Sequence, residues 1–406
     1  MTVHDTDLGL ALFAEEFIQD PYPLYARMLA TAPVHRVGDS GFYAVCGWDA
    51  VTDAVARPQD FSSNLTGTMV YQSDGTVGTF PMDDLGGPSQ VLAIADDPAH
   101  ALHRRKLIPQ LAAKRIRTLE SFVAAATERL WSEQVRDGRV EWMAAIADRL
   151  PMLVVCHLLG VPDEDAEQLA EWGYASTQLL EGLVSPEQLA GAGTAAMRLA
   201  QYVAEKFDQQ AAHPQDTLMG ALAQDCAAGE LDVMTAQMMM ITLFSAGGES
   251  TASLIGSATA LLATRPELQH RLRNDRSLIP VFLEETLRFE PPFRGHYRHV
   301  LRDCTLAGHE LPAGARLILL WGAANRDPAH IDAPEEFRLD RPIAKSHLAF
   351  GKGVHFCVGA ALARTEARIV LEHLLASTRW VEAETTGRWL PSLLVRRLES
   401  LPLRVE

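Results

Sequence analysis

The stretch that decides the fold lies near the C-terminal end: Phe350-Gly351-Lys352-Gly353-Val354-His355-Phe356-Cys357-Val358-Gly359, followed by the alanine-rich run Ala360-Ala361-Leu362-Ala363-Arg364. Cys357 follows a glycine-rich turn and directly precedes an amphipathic run. We therefore expect its sulfur at the N-terminus of a helix, where free N–H groups favour an anion. The glycines lack a Cβ, so the backbone can pass close to a flat ligand. This arrangement is suited to holding a thiolate.

A thiolate with one open side suits haem iron. The stretch resembles the haem-ligand signature of the cytochrome P450 family, Phe-Gly-x-Gly-x-His-x-Cys-x-Gly, with every fixed position filled. The resemblance implies that Cys357 is the axial ligand of haem b and that Phe350, His355 and Gly359 contact the cofactor. It also implies a mainly α fold with small β-sheets, formed by residues 1–406 as one large haem domain.

Composition narrows the possible partners. The 406 residues carry a formal net charge of −16, which argues against nucleic acid or an anionic membrane as the main partner. The five cysteines are scattered and contain no CxxC pair, which argues against a disulfide framework, structural zinc and c-type haem attachment. Because the first residues include no apolar stretch, we expect a soluble cytoplasmic protein without a membrane anchor.

The N-terminal third predicts a short helix after residues 20–25 and a strand within residues 42–48. From residue 62 to 95, glycines and prolines predict a long irregular loop, which matches the family's loop over the substrate pocket. Next, His100 and Arg104 fall on one face of a predicted helix, where they can bind a haem propionate or form a solvated basic face.

A basic run lies in this otherwise acidic chain. Between residues 103 and 117 there are six lysines or arginines and no acid: Arg104, Arg105, Lys106, Lys114, Arg115 and Arg117. Together with Lys352, they predict a docking surface for an acidic electron donor. In the resemblance, the partners are ferredoxin and ferredoxin reductase.

Residues 233–264 contain a single charge, Glu249. The length would span a bilayer, but a carboxylate in the middle favours a helix buried in a large core. Here Ala246-Gly-Gly-Glu249-Ser250-Thr251 resembles the family's oxygen-activation motif, in which Ala246 adjoins the haem, the acid relays protons and a hydroxyl hydrogen-bonds the oxygen. Ser250 stands where the family usually has threonine, so the resemblance assigns catalysis to Glu249, Ser250 and Thr251.

Further motifs resemble structural and pocket elements of the family. Glu285 and Arg288 match a buried pair that braces the haem loop, with Arg338 or Arg341 as a candidate third member. The extended segment 290–298 brings Arg298 to a propionate and Phe293 and Arg294 to the substrate, unless the latter two are solvated. Leu179, Leu180 and Leu183 fall where the family places the roof of the pocket, with core packing as the alternative, and Leu393 lies in a segment that resembles the family's last turn into the pocket.

Together these features predict a haem-thiolate monooxygenase that inserts one atom of O2 into a mostly hydrophobic small molecule. The wording of several motifs is closest to actinobacterial and mycobacterial members. One alternative is an acyl-transfer enzyme that uses Cys357 as nucleophile and His355 as base. The other is a haem-binding sensor without catalysis, which would have no need for the acid and alcohol at positions 249 and 250.

Overall fold

The structure, a computed structural model, describes residues 7–82, 90–341, 346–385 and 387–406. The chain is mostly helical, and small sheets lie beside the helices, which confirms the predicted fold class. The α-helices are α1 (Glu15–Gln19), α2 (Tyr22–Thr31), α3 (Trp48–Ala56), α4 (Ala99–Leu107), α5 (Ala113–Gln134), α6 (Leu150–Leu159), α7 (Ala166–Thr177), α8 (Pro186–Ala212), α9 (Leu218–Ala227), α10 (Val233–Thr264), α11 (Pro266–Asn274), α12 (Ile279–Phe289), α13 (Trp321–Ala324) and α14 (Ala360–Ser377).

Helix α10 passes through the centre of the helical part. Asp232 caps its start by accepting a hydrogen bond from the Thr235 N–H at 2.9 Å. The helix then packs against α6, α7, α8, α12 and α14, because nearly all of its side chains are small or apolar. The prediction of a buried core helix is confirmed. Within the described residues, no helix combines the length and the apolar character needed to cross a membrane.

A second region is built from strands. The largest sheet has the order β1-β2-β10-β7-β3, in which only β2 and β10 pair in parallel. The other sheets are β11-β12-β6, β4-β5 and β8-β9. The strands are β1 (Val34–Arg36), β2 (Phe42–Val45), β3 (Phe61–Ser62), β4 (Gly67–Tyr71), β5 (Val77–Pro81), β6 (Arg139–Glu141), β7 (Gly295–Val300), β8 (Cys304–Leu306), β9 (His309–Leu311), β10 (Arg316–Leu320), β11 (Val381–Ala383) and β12 (Pro402–Val405).

The predicted irregular loop between residues 62 and 95 is partly wrong. Strands β4 and β5 form an antiparallel hairpin there, with Gly67 opposite Pro81. Gly75 adopts a φ of 85° in the turn that connects the two strands, a conformation that favours a residue without a Cβ. Residues 83–89, which carry two of the glycines and a proline behind the loop prediction, lie outside the described residues.

The C-terminal segment 389–397 crosses from the sheet region to the helices and is held by backbone hydrogen bonds. Arg294 N–H donates to the Leu394 carbonyl at 2.8 Å, and Leu393 N–H donates to the Glu181 carbonyl at 3.0 Å. The hydroxyl of Ser253 on α10 donates to the Arg396 carbonyl at 2.5 Å. We call residues 389–397 the C-terminal loop; these bonds fix it beside the middle of α10.

Candidate active site

The Cys357 loop holds its sulfur at the start of α14, as predicted. The Cys357 N–H donates to the Phe350 carbonyl at 2.9 Å, which closes the loop. Gly351 and Gly353 adopt φ values of 68° and 69°, which favour glycine, so the turn needs both of them. Backbone N–H groups of Gly359 and Ala360 point at the thiol. Helix α14 begins at Ala360, so its free N–H groups stabilise a thiolate.

The Cys357 thiol lies deep in the protein, yet part of its surface is not covered by other residues. Burial raises the pKa of Cys357, while the Gly359 N–H and the positive charge of Arg104 act in the opposite direction. Cys357 nevertheless retains exposed surface. Ala246 is likewise exposed, although it lies in the middle of the core helix α10. Both residues therefore face internal space rather than packed protein, as a flat cofactor requires.

Four donors gather at one edge of this space. Arg298 is buried on β7, and its Nη1 donates to the Tyr297 carbonyl at 2.7 Å. The rings of His100 and His355 lie with their centroids 3.9 Å apart. Burial, His100, Arg298 and Arg104 together lower the pKa of His355 to about 3. Because charges shift a pKa strongly only over short distances, His100, Arg104 and Arg298 must all lie near His355.

This group of donors has spare capacity for an anion. The buried Nδ1 of His355 makes no hydrogen bond within the described residues, while its Nε2 lies 2.9 Å from Ser63 Oγ. Burial lowers the pKa of Arg298 to about 10, with Asp96 acting weakly in the opposite direction. A buried guanidinium and an unpartnered ring nitrogen are costly unless a negatively charged group meets them. Carboxylates of haem b fit this requirement.

Glu249 lies on α10 in a buried network that the sequence did not predict. Its Oε2 accepts a hydrogen bond from Thr177 Oγ1 at 2.8 Å, and its Oε1 lies 3.3 Å from Arg397 Nε. Arg397 also donates from Nη1 to Asp148 Oδ1 at 2.9 Å. Burial raises the pKa of Glu249, and Arg397 acts against this rise. The acid thus holds a proton more readily than a carboxyl in water.

Gly248 allows this network to form. A Cβ at Gly248 would lie 2.9 Å from Tyr174 Cε1 and 2.9 Å from Met152 Cε, so only glycine lets α7 pack this closely on α10. Tyr174 is fixed by donating its hydroxyl to the Asp148 carbonyl at 2.9 Å. The close approach places Thr177, at the end of α7, within hydrogen-bonding distance of Glu249.

Ser250 and Thr251 lie on different sides of α10. The Ser250 hydroxyl donates to the Ala246 carbonyl at 2.7 Å, on the open face of the helix. Thr251 is buried. An isolated serine hydroxyl rotates easily because it lacks the methyl group of threonine. Ser250 is therefore the alcohol that is able to turn from its own helix towards the cavity.

The predicted brace formed by Glu285 and Arg288 is present on α12 and completely buried. Arg288 donates from Nε and Nη2 to the two Glu285 oxygens, both at 2.8 Å. Arg341 Nε donates to Glu285 Oε1 at 2.9 Å, so Arg341 supplies the third side chain, whereas Arg338 contributes only its N–H. Burial is the largest single influence and would raise the pKa of Glu285, but the hydrogen bonds and charge of Arg288, the Arg338 N–H and Arg341 together outweigh it and lower this pKa.

A second brace, absent from the sequence analysis, joins α12 to the helix that follows Cys357. Glu284 accepts hydrogen bonds from Arg364 Nε at 2.5 Å and Nη2 at 2.9 Å, and His347 Nε2 lies 3.2 Å away. Burial opposes ionisation, but Arg364 and His347 overcome it and lower the pKa of Glu284 to about 2. Arg364 also covers the Phe350 ring at 4.4 Å, so this ion pair supports the Cys357 loop directly.

The predicted pocket residues divide into two groups. Leu179 and Leu180 form a 3-10 turn after α7, and Leu183 packs in the same apolar cluster as Leu393. Phe293 pairs with Val395 of the C-terminal loop. Leu183 and Leu393 thus pack in one apolar cluster, whereas Phe293 packs against the neighbouring cluster around Trp48 and Val51.

Arg294 belongs to neither cluster. Its Nη2 donates to the Ile18 carbonyl at 2.5 Å, and its guanidinium lies beside Tyr25. The expected substrate contact is therefore not seen, because the side chain points from the extended segment towards the N-terminal helices. An extended chain alternates its side chains between two faces, and the sequence did not indicate which face was occupied.

Comparison with known proteins agrees with this geometry. Residues 192–394 match the family model described as Cytochrome P450. Cytochrome P450 144 of Mycobacterium tuberculosis is 61% identical over 394 residues, which cover 97% of this chain and 91% of the relative. This chain belongs to the cytochrome P450 family.

More distant P450s also match over nearly the whole length of this chain. Cytochrome P450 monooxygenase PikC of Streptomyces venezuelae is 29% identical, with 98% of this chain and 94% of PikC covered. The crystal structure of CYP109E1 from Bacillus megaterium in complex with testosterone superimposes with a TM-score of 0.87 at 27% identity, covering 96% of this chain and 99% of that one. The protein is accordingly a P450 haem monooxygenase of the actinobacterial type, and P450s bind haem b through a cysteine thiolate and use O2.

Proposed function

We propose that this P450 inserts one atom of O2 into a mostly hydrophobic small molecule and takes its electrons from a ferredoxin served by ferredoxin reductase. The observation that carries the proposal is the deep but open thiol of Cys357, together with the exposed surface of Ala246 in the middle of the core helix α10. A buried acid, Glu249, lies within a few residues of Ala246 on the same helix. This set provides an iron ligand and a proton source in one domain, which we take to comprise residues 1–406.

The roles of the site residues follow from their contacts. Haem, when bound, supplies the oxygen chemistry and the protein supplies orientation and electrostatics. In the proposal, Cys357 is the axial ligand, and Phe350 and Gly359 adjoin the cofactor. His100, Arg104, Arg298 and His355 bind the propionates. Glu249 holds a proton for transfer, while Ser250, rather than the buried Thr251, steadies the reacting oxygen.

The pocket favours an apolar substrate. Leu179, Leu180, Leu183, Phe293 and Leu393 contribute hydrocarbon surface, and burial of such surface is the main driving force for binding small molecules. CYP109E1, whose backbone superimposes on this one, was crystallised with the apolar steroid testosterone. This supports a substrate of similar character.

We place the ferredoxin site on the basic face, defined here as Arg105, Lys114, Arg117 and Lys352, which are all exposed. This face surrounds the contact between Arg104 Nη1 and the Phe356 carbonyl, 2.8 Å apart, next to Cys357. The exposed apolar side chains of Ile108 and Val354 adjoin it.

Two residues of the predicted basic run are engaged elsewhere. Lys106 pairs with Asp225 at 2.8 Å and with Glu230, and Arg115 pairs with Asp216 at 2.9 Å. Their charges are already compensated, so we exclude both from the proposed docking face.

The contacts argue against the acyl-transfer alternative. A nucleophile and its base must lie within hydrogen-bonding reach of each other. His355 instead bonds to Ser63 and stacks on His100. The cysteines within the described residues are all free, which supports our proposal of a cytoplasmic location.

The test of the proposed function is the spectrum of the reduced carbon-monoxide complex. We expect a red-shifted Soret band in the wild type and its loss in Cys357→Ala, because the thiolate would be removed. Cys304→Ala, at a half-buried cysteine away from the loop, is the matched control and should keep the band. Persistence of the band in Cys357→Ala would overturn the assignment of the ligand.

A further inference from the structure

A second buried acid, Glu181, directly follows the proposed pocket residues Leu179 and Leu180 and has no role in the function described above. Glu181 follows the 3-10 turn Gln178–Leu180 and is 8% exposed. Within the described part of the chain, its carboxyl group makes no hydrogen bond and no ion pair. Neither carboxyl oxygen is among the fully buried side-chain atoms that lack a hydrogen-bond partner, so the group keeps some access to open space although the rest of the side chain is buried. Partial desolvation of an ionisable group without a protein partner still carries a free-energy cost.

The backbone around Glu181 is held firmly. Its N–H donates to the Gln178 carbonyl at 3.2 Å, and its carbonyl accepts the Leu393 N–H of the C-terminal loop at 3.0 Å. The next residue, Gly182, accepts the Tyr71 N–H of β4 at 2.8 Å and adopts a φ of 75°. The segment is thus tied to two separate walls of the pocket. Its side chain is presented from a preorganised turn.

The charges of Glu249 and Arg397 both act on the pKa of Glu181, so its carboxyl group lies near both side chains. Burial, followed by the charge of Glu249, raises the pKa of Glu181 to about 8, and Arg397 counteracts this. Arg397 is itself divided between Glu249 and Asp148. Among the described residues of this region, three acids therefore share one cation.

We propose that Glu181 is a substrate-recognition residue whose carboxylate binds a cationic nitrogen carried by an otherwise apolar substrate. Three carboxyl groups here face a single arginine, so a positive charge on the ligand would compensate negative charge that the protein itself leaves unbalanced. It would also satisfy the one carboxyl group of the set that has no partner. Leu183 and Leu393 adjoin Glu181 and would bind the apolar part. This inference rests on the proposed monooxygenase function and names the substrate class for the same pocket.

The experiment compares two matched probes on the haem-loaded protein. One is a phenylbutyl-trimethylammonium ion, and the other is its neutral isostere with a tert-butyl group in place of the trimethylammonium group. A quaternary nitrogen has no lone pair, so the cationic probe cannot ligate iron. Equilibrium dialysis gives both dissociation constants, and their ratio removes differences in general hydrophobic binding.

We expect Glu181→Gln to reduce the preference for the cation by roughly 30-fold, which corresponds to about 2 kcal/mol. Glu181→Leu should reduce it at least as much. Glu167→Gln, at an exposed glutamate of α7, is the matched control and should leave the preference unchanged. A preference that stays within about threefold of wild type in both Glu181 variants would overturn the inference.

The pH dependence provides an independent readout. The probe carries a fixed charge, so any change with pH belongs to the protein. Because the pKa of Glu181 is raised to about 8, the carboxylate form is scarce below this pH. Binding of the cation should strengthen by about tenfold per pH unit up to about pH 8 and then level off. Glu249, Asp148 and Arg397 face the same region, so the Glu181→Gln variant must lose this dependence; its retention would contradict the proposal.

Failure of this inference is distinguishable from failure of the proposed function. The carbon-monoxide spectrum of the same preparations reports the thiolate-bound haem without reference to Glu181. An unaltered spectrum together with no cation preference in the wild type would reject the recognition role and leave the monooxygenase assignment intact.

Discussion

Replacing Arg397 by methionine is expected to destabilise the protein strongly at alkaline pH and much less in mild acid. Arg397 lies 3.3 Å from Glu249 Oε1 and 2.9 Å from Asp148 Oδ1. The side chains of Arg397 and Glu249 are only 13% and 3% exposed. Removing one partner from a buried ion pair costs about 3–5 kcal/mol, because an uncompensated charge stays behind. Methionine retains much of the apolar stem, so loss of packing contributes less.

The sign of the pH effect follows from the two carboxyl groups. Burial already raises the pKa of Glu249 and of Asp148, and Arg397 acts against the rise in both. Without the arginine, both values rise further. A group whose folded pKa is raised stabilises the fold below its unfolded pKa, and this contribution is lost as the pH rises through the folded pKa. The cost of Arg397→Met should therefore be small near pH 5 and approach its full value at pH 8.

The assay is urea unfolding of the haem-loaded protein at pH 5.5 and pH 8, followed by far-ultraviolet circular dichroism. Arg388→Met is the matched control, because Arg388 directly precedes the C-terminal loop, is 61% exposed and pairs with Glu15 on the surface. In a Glu249→Gln background, Arg397→Met should cost less than in wild type. An equal cost at both pH values, with no coupling to Glu249→Gln, would show that Arg397 acts only by packing on Tyr174.

Three further predictions concern the proposed site. Ser250→Ala should lower product formed per reducing equivalent while oxygen consumption continues, whereas Ser250→Thr should preserve it; unchanged coupling in Ser250→Ala would assign the alcohol to another residue. Arg298→Ala should weaken haem binding by roughly 10- to 100-fold, as expected for a hydrogen bond to a charged group, measured by haem transfer to apomyoglobin. Unchanged retention would exclude a propionate contact. Charge reversal at Lys114 and Arg117 should slow reduction by an acidic ferredoxin at low salt more than Arg115→Glu does, and equal effects would refute the docking face.

The parts of the site that were predicted from the sequence depend on short, local spacing. Phe350 to Gly359 form one closed loop, and Glu285 and Arg288 are three residues apart on one helix, so the pattern itself contains the geometry. The core helix around Glu249 was equally clear, because 32 residues carry a single charge. Fold class and cofactor followed from these stretches.

The partners of Glu249 could not be predicted in this way. Arg397 is 148 residues distant in sequence and Thr177 is 72 residues distant, and each is an ordinary residue in its own segment. The hairpin of β4 and β5 was missed because Gly67, Gly75 and Gly78 obscure the alternation of a strand. Glu181 also lacks a local signal: only the folded chain reveals that this glutamate is buried without a partner.

The C-terminal loop links these separate observations. It carries Leu393, which we propose lines the pocket, and four residues later Arg397, the cation 3.3 Å from Glu249. The loop has little regular structure of its own, and its geometry depends on hydrogen bonds to Glu181, to segment 292–294 and to Ser253 on α10. A charge near Glu181 or a displacement of Leu393 therefore acts on the same segment that sets the proton affinity of Glu249. Because Arg397 is shared with Asp148, even a small shift of the loop would change how its charge is divided between the two acids. If the proposed roles of Glu181 and Glu249 hold, recognition of the substrate and supply of the proton depend on one short stretch of backbone.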